Sequence, residues 1–349
     1  MTRATPIRSI APDDPGAPPL IEAAAILRAG GLVAFPTETV YGLGADATDP
    51  EAVARIFTAK GRPSTNPLIV HADGPDLARR CVSAWPEAAE TLARRFWPGP
   101  LTLVLPRSPL IPDIVTGGRD TVGVRVPEVA VALSLISLVG RPLAAPSANR
   151  SNRISPTRAE HVARDLDGRI DLILDAGPAS VGLESTVLDL SGDRPRILRP
   201  GPIDADQLAA VLGVPVLSSV SSESFPLADR AAASPGLLPI HYAPRTPAIR
   251  VEPGSPPPAI PAETSLALIV CGTPVPDWNS LHPSLRIDLP DPAQASRALY
   301  DSLHRCDASG ASLIIVRMPP DYPSWAAVRD RLRRATTAPE PPPPDRPPT

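Results

Sequence analysis

Lys60, Gly61, Arg62 and Pro63, with Asn66 and His71 close behind, set two cations, an amide and an imidazole in one short stretch. A Lys point charge beside an Arg fork suits a polyanion such as a triphosphate. The alternative is a helix end whose cations only complement the dipole. The neighbouring elements decide between these. Asp49-Pro50 opens a helix expected over 50–59, Val53, Ile56 and Phe57 recur at helical spacing, and Gly61 follows its last turn. Pro67-Leu68-Ile69-Val70 reads as a short buried strand. The cations therefore occupy a helix-to-strand connection, where side chains converge on a ligand held by a rigid scaffold.

The pattern of an apolar strand ending in hydroxyl, amide or Arg recurs along the chain. A strand over 31–36 delivers Thr37 to Gly44, including Thr39, which reads equally as a ligand loop or a polar turn. Phe96 and Trp97 beside Pro98-Gly99-Pro100 read as core anchors. Thr121, Gly123 and Arg125 share one face of a strand, and Arg125 there suits a carboxylate or an exposed edge. Ala144-Ala145 leads into Pro146-Ser147-Ala148-Asn149. Ser155 is expected to cap a helix over 158–166, with ligand contact as an additional role. Ser185 heads another strand and Arg199 ends one. Open α/β sheets collect ligands at such strand ends. Neither a Ser-His-Asp nor a Cys-His arrangement is evident, nor the phosphate-loop or dinucleotide glycine motif. Phosphate chemistry here would rest on positioning and electrostatics.

The 349 residues favour two domains, and 43% hydrophobic with 20% charged residues supply an ordinary core. A net charge of −3 and a pI near 6.0 give no global basic footprint for nucleic acid. Cys81, Cys271 and Cys306 are far apart and odd in number, which fits a reducing cytoplasm better than disulfides or zinc. With no signal pattern and no apolar run of about 20 residues, a soluble cytoplasmic protein is expected. Many of the fifty prolines cluster in 11–19, 253–261 and 339–348, read as a loose arm, a loop and a disordered tail. The second half reads as strand, helix, strand, helix over 267–270, 292–306, 313–316 and 325–335, with Arg329 to Arg334 a solvated helix face.

Seven stretches in one order, Phe35–Ala45, Lys60–His71, Phe96–Leu105, Asp120–Pro127, Pro146–Asn149, Glu184–Val187 and Leu198–Gly201, resemble the YrdC-like domain of the L-threonylcarbamoyladenylate synthase family. Ser234–Pro244 resembles the linker of the longer, two-domain form, which folds back over the active site and carries a Tyr, here Tyr242, to the nucleotide. Ile240 departs from the basic residue common at its position, and Glu128-Val129 from a common His-Pro pair.

The resemblance implies an α/β fold with a YrdC-like twisted open mixed sheet flanked by helices over 20–214. Around it come a loose arm over 1–19, a linker over 215–246, a small Rossmann-like α/β C-terminal domain over 247–336 and a disordered Pro-rich tail over 337–349. It implies a nucleotidyltransferase condensing L-threonine, bicarbonate or CO2 and ATP to threonylcarbamoyl-AMP and pyrophosphate, for threonylcarbamoyladenosine modification of tRNA. Arg62, Asn66, Thr121, Ser147, Ser155, Arg199 and Tyr242 are then expected to hold ATP. Thr39, His71, Arg125, Ser185 and the backbone of Ala145 are expected to hold threonine, with Arg125 on its carboxylate. Lys60 and Arg62 are expected to neutralise charge on the phosphates. Mg2+ is expected on the ATP phosphates, with no protein side chain as ligand. The product would pass to a separate tRNA threonylcarbamoyl-transferase complex, without a membrane partner. Two other classes are an RNA-binding module, opposed by aromatics at only 3%, and a carbamoyl-transfer enzyme with another acceptor, whose relatives carry a further large domain.

Overall fold

The computed structural model describes residues 4–11, 14, 16–218, 241–261, 263–273, 278 and 281–338. Ile240, most of the expected linker and all but the first residues of the expected tail lie outside the described residues.

Among the described residues, eleven strands make the first sheet: β1 (Ile7–Ser9), β2 (Val33–Phe35), β3 (Gly42–Asp46), β4 (Ile69–His71), β5 (Leu101–Pro106), β6 (Thr121–Arg125), β7 (Leu143–Ala144), β8 (Leu172–Asp175), β9 (Thr186–Asp189), β10 (Arg196–Arg199) and β11 (Leu217–Ser218). Their order is β1-β8-β2-β3-β7-β4-β6-β5-β9-β10-β11. The sheet is mixed, as expected: β4 runs parallel to β6 and β5 to β9, while β5 and β6 are antiparallel. The helices are α1 (Pro18–Arg28), α2 (Pro50–Lys60), α3 (Pro75–Arg80), α4 (Glu87–Phe96), α5 (Asp113–Thr116), α6 (Ala130–Val139), α7 (Ala159–Leu166) and α8 (Ala205–Leu212). A second, parallel sheet of β12 (Ala248–Val251), β13 (Leu266–Cys271), β14 (Leu285–Leu289) and β15 (Leu313–Arg317) has the order β12-β15-β13-β14. Helices α9 (Pro292–Asp307) and α10 (Ala326–Ala335) pack on it.

The start and stop of α2 follow from local chemistry. Asp49 accepts from the backbone N–H groups of Glu51 and Ala52, Pro50 supplies the first turn, and Gly61 takes the left-handed conformation that ends it. Val53, Ile56 and Phe57 face the core, so the Lys60–Arg62 end is fixed in place. Trp97 is an anchor as expected, its Nε1 donating to the Leu101 carbonyl at 2.7 Å.

Several elements differ from the sequence reading. The expected arm over 1–19 holds strand β1, paired parallel with β8, because Ile7 to Ser9 offer backbone groups that an open sheet edge can take up. The expected loop Thr37 to Gly44 becomes a strand from Gly42. Gly44 is required there, since a Cβ would meet the Phe35 ring at 2.8 Å. In the second half β12 and β14 join the two strands foreseen. Thr337, assigned to the tail, donates its backbone N–H to the Ala248 carbonyl at 3.0 Å. No helix among the described residues is long and apolar enough to cross a membrane.

The first core lies between the large sheet and its helices. A second core unites Leu299, Tyr300, Leu303, Val328 and Leu332 with Val40, Ile154 and Leu183 from the first half and Tyr242 from the linker. The two halves therefore share apolar packing at the place where the polar strand ends meet.

Candidate active site

A cleft of about 550 Å³, its open mouth included, is lined by Thr37, Thr39, Val40, Gly42, Arg62, Ile69, His71, Arg125, Ala145, Pro146, Ser147, Glu184, Ser185, Arg199, His241 and Tyr242. Of the residues singled out in the sequence, Thr39, Arg62, His71, Arg125, Ala145, Ser147, Ser185, Arg199 and Tyr242 are brought together here. Strand ends supply most of them, and the linker closes one wall with His241 and Tyr242.

One wall is rigid. His71 and Arg125 are register partners on the neighbouring strands β4 and β6. Both are buried, and burial followed by the Arg125 charge pulls the His71 imidazole down to about 3, so it is a neutral acceptor near pH 7. Its Nδ1 is buried with no hydrogen-bond partner among the described residues. Arg125 donates from Nε to the Gly99 carbonyl at 3.2 Å and from Nη1 to Thr39 Oγ1 at 2.9 Å. Its Nη2 is paired at 2.5 Å with Glu38, whose other oxygen accepts from the Glu128 backbone N–H at 3.0 Å. Glu38 thus takes one arm of the Arg125 fork in a single-point pair, so the full two-armed pair expected with a ligand is not free to form in this arrangement. Three of its five N–H donors are taken, which leaves two for a ligand. The Ala145 N–H donates to the Ile69 carbonyl at 2.9 Å, so the carbonyl is what that backbone offers the cleft. Ser185 Oγ bonds Thr102 Oγ1 at 2.8 Å and accepts from Arg199 Nη2 at 3.2 Å.

A second part of the wall is cationic. Arg62 is held by the carbonyls of Asn66 and Pro67 at 3.3 and 3.0 Å, and burial lowers its guanidinium to about 10. Arg199 donates to the Ser185 carbonyl at 2.9 Å. Tyr242 covers this side; its backbone φ of +63° lies in the left-handed region, and its buried phenol oxygen has no partner among the described residues. Buried polar atoms are satisfied in stable proteins, so orphaned ones around a hollow mark where a ligand's atoms go. Burial, then Glu184, pushes the Tyr242 phenol up to about 12, which keeps it a donor.

Four expected residues are not on the wall of this cleft. Lys60 is buried, and its ammonium donates to the carbonyls of Ser147 and Asn149. Burial, then the Arg62 charge, lowers it well below the usual lysine range. Lys60 thus braces the Ser147–Asn149 loop. Asn66 lies beside Arg62 with its Oδ1 buried and unpartnered among the described residues. Thr121 lines a second hollow of about 340 Å³, which has Ile69 as a lining residue in common with the cleft. Ser155 is not a helix cap: the α7 N-cap is Arg158, and Ser155 Oγ donates to Glu184 Oε1 at 2.7 Å because a buried carboxylate is the stronger acceptor.

The sequence reading passed over Glu38, Glu184 and Arg331. Glu184 lines the cleft, and its carboxylate accepts from Ser155, from the Tyr300 phenol and from Arg331 Nε at 2.8 Å. Burial pushes this carboxyl up. Arg331, then Arg199, with hydrogen bonds from Arg331 and Ser155, outweigh that and hold it down at about 2. Arg331 corrects the expectation of a solvated face on α10: it is fully buried, and Arg329 is 5% exposed. A partner 147 positions away cannot be seen from one helix's spacing.

Fold and cleft together define a two-domain protein of the Sua5, YciO and YrdC class. Residues 25–201 match that family's profile, described as telomere recombination, and residues 203–337 match the one described as threonylcarbamoyl-AMP synthase, C-terminal domain. The chain belongs to this family. The threonylcarbamoyl-AMP synthase of Pyrococcus abyssi is 51% identical over 231 residues, covering 66% of this chain and 67% of that one. That of Bacillus subtilis is 50% identical over 241 residues, 68% of each. The crystal structure of P. abyssi Sua5 complexed with L-threonine matches with a TM-score of 0.82 at 38% identity, covering 95% of this chain and 98% of that one.

Proposed function

We propose that this chain is an L-threonylcarbamoyladenylate synthase. It condenses L-threonine, bicarbonate or CO2 and ATP to threonylcarbamoyl-AMP and pyrophosphate, for threonylcarbamoyladenosine modification of tRNA. The observation that carries this is one buried hollow in which Arg62, Arg125 and Arg199 meet His71, Thr39, Ser147 and Ser185 beneath Tyr242.

Threonine lies against the His71–Arg125 wall. Its carboxylate takes the remaining guanidinium donors of Arg125, and Thr39, Ser185 and the Ala145 carbonyl orient its polar groups. A neutral His71 accepts a hydrogen bond without repelling the amine. The neutral amine attacks the carbon of CO2 and loses one proton to solvent, leaving the carbamate; with bicarbonate the same bond forms as hydroxide departs and takes up that proton as water. A carbamate oxygen then attacks the α-phosphorus in line, and the bond to the β-phosphate oxygen breaks to release pyrophosphate. No protein nucleophile is needed: orientation and fixed cations lower the barrier. Arg62 and Arg199 stabilise the charge that develops on the phosphates, with Ser147, Asn66 and Tyr242 fixing the nucleotide. Lys60 acts by bracing the Ser147 loop, and Ser155 by orienting Glu184. Thr121 reaches ATP when the nucleotide spans both hollows at Ile69. Mg2+ enters on the triphosphate as part of the substrate. This suits the donor set, because Glu184 and Glu38, the buried carboxylates here, are already engaged by cations. We place the protein in the cytoplasm, a reading supported by its three buried free cysteines, with the product consumed by a separate tRNA-modifying complex.

The test is pyrophosphate release by the purified protein with MgATP, bicarbonate and threonine, with the product followed by mass spectrometry. Release should require all three substrates; release that ignores threonine would overturn the assignment.

A further inference from the structure

Among the described residues, the second half of the chain gives the cleft wall His241 and Tyr242, and it also holds two of the groups that line it. Both carboxylate oxygens of Glu184 are engaged from across the domain boundary. Tyr300 of α9 donates to Oε1 at 3.0 Å and to Oε2 at 2.8 Å, and Arg331 of α10 donates to Oε2 at 2.8 Å. The same two residues grip Tyr242. The Arg331 guanidinium lies 5.5 Å from the centre of its ring, and the Tyr300 ring lies 5.5 Å away at 35°. The backbone N–H of His241 donates to the Arg334 carbonyl at 3.1 Å, tying the linker to α10 at the adjacent residue. A charge over an aromatic face and a buried ion pair are both directional, and both vanish when the domains separate.

We propose that Arg331 and Tyr300 are positioning residues for ATP. Through Glu184 and the Tyr242 ring they latch the nucleotide wall shut, so that the second domain sets affinity for ATP while threonine affinity is set by the first domain alone. The inference rests on the synthase reading of the cleft. The left-handed backbone of Tyr242 supports it, because a bulky residue keeps that conformation only when its surroundings over-determine it. The shared core supports it as well, since Tyr242 packs among residues of α9 and α10 and the cleft would lose its cover if they withdrew.

Two variants test the latch. Tyr300→Phe deletes the hydrogen bonds to Glu184 and keeps the ring. The pair Glu184→Gln with Arg331→Met removes both charges together, which avoids stranding a buried carboxylate. Each is checked for folding by thermal unfolding, and ATP binding is measured directly by calorimetry alongside steady-state kinetics. In the double variant the Kd and KM for ATP should rise roughly tenfold, with a smaller rise for Tyr300→Phe, while KM for threonine stays within about twofold. Arg331→Lys with Glu184 intact should recover part of the loss, since it keeps the charge and lacks the planar fork. The proposal fails if folded variants bind ATP like the wild type, or if both KM values rise together. It also fails if only kcat falls, the pattern of a reduced folded fraction. A wild-type protein that binds ATP but shows no threonine-dependent turnover would overturn the synthase reading, and the binding data would still judge the latch.

Discussion

The two walls of the cleft are built in opposite ways. The wall proposed for threonine is internal to one sheet: His71 and Arg125 are lateral neighbours in register, and the Arg125 charge is met by Glu38 within the same domain. The wall proposed for ATP is assembled from Arg62 and Arg199 of the first domain, Tyr242 of the linker and a clamp from α9 and α10. A preorganised wall binds without rearrangement, whereas an assembled wall admits a large substrate and then encloses it. The difference teaches that one cleft can hold a small amino acid stiffly and a nucleotide conditionally.

The comparison can be broken most severely at its rigid side. Arg125→Ala leaves the buried Glu38 carboxylate without its cation, so a stability loss of about 3–5 kcal/mol and no measurable turnover are expected in thermal unfolding and pyrophosphate assays. Near-normal stability would show that the wall is not organised by this pair. On the assembled side, Arg62→Ala should lower kcat/KM by about 10²–10³ and shift the unfolding midpoint far less, because its hydrogen bonds are to adjacent loop carbonyls. Unchanged turnover would remove Arg62 from the chemistry.

Acid should loosen the domain boundary next. His161 of α7 and His304 of α9 stack at 3.7 Å across it. Burial first, then charged neighbours, lowers His161 to about 3, and burial lowers His304 to about 4. A histidine depressed on folding stabilises fully above its unfolded value of 6.5 and loses that contribution as pH falls below it. Each unit below 6.5 should therefore cost roughly 1.4 kcal/mol per histidine until the folded value is reached. Asp301, 3.8 Å from His161 Nε2 and paired with Arg158, softens the effect for that ring. Thermal unfolding between pH 7.5 and 5 should show the decline, and the double change His161→Gln with His304→Gln should remove about half of it, since burial lowers His71 and His241 to about 3 as well and these keep their share. Glu184 acts in the same direction at lower pH, its contribution being present above 4.5 and lost as pH falls toward about 2. The smallest expected effect is that of Tyr242→Phe: removal of one hydroxyl should raise KM for ATP a few-fold, about 1 kcal/mol, with KM for threonine unchanged. An equal rise in both would erase the distinction between the walls.

How much of this was legible in the sequence depended on the range of the interaction. Helix α2 was readable because Asp49, Pro50 and Gly61 act within a turn of their own positions. The strand-end residues Arg125, Ser147, Ser185 and Arg199 were readable because a polar group after an apolar run has few other places to go. Ser155 was misjudged as a cap because its acceptor, Glu184, is 29 positions away. Arg331 was misjudged as solvated because the spacing of arginines on a helix says nothing about a carboxylate on another domain. Lys60 was expected to face the phosphates, whereas its backbone partners at Ser147 and Asn149 depend on tertiary folding that its own stretch does not reveal. Strand β1 escaped notice because three residues among prolines carry too little periodicity to register.

At Gly182 the chain runs against helix α9 with no clearance. Its φ is +77°, and a Cβ there would lie 2.4 Å from the Arg297 carbonyl oxygen and 2.7 Å from that of Ser296. Any side chain at position 182 would therefore push helix α9 away from the first domain, and with it Tyr300, one of the two residues that hold Glu184.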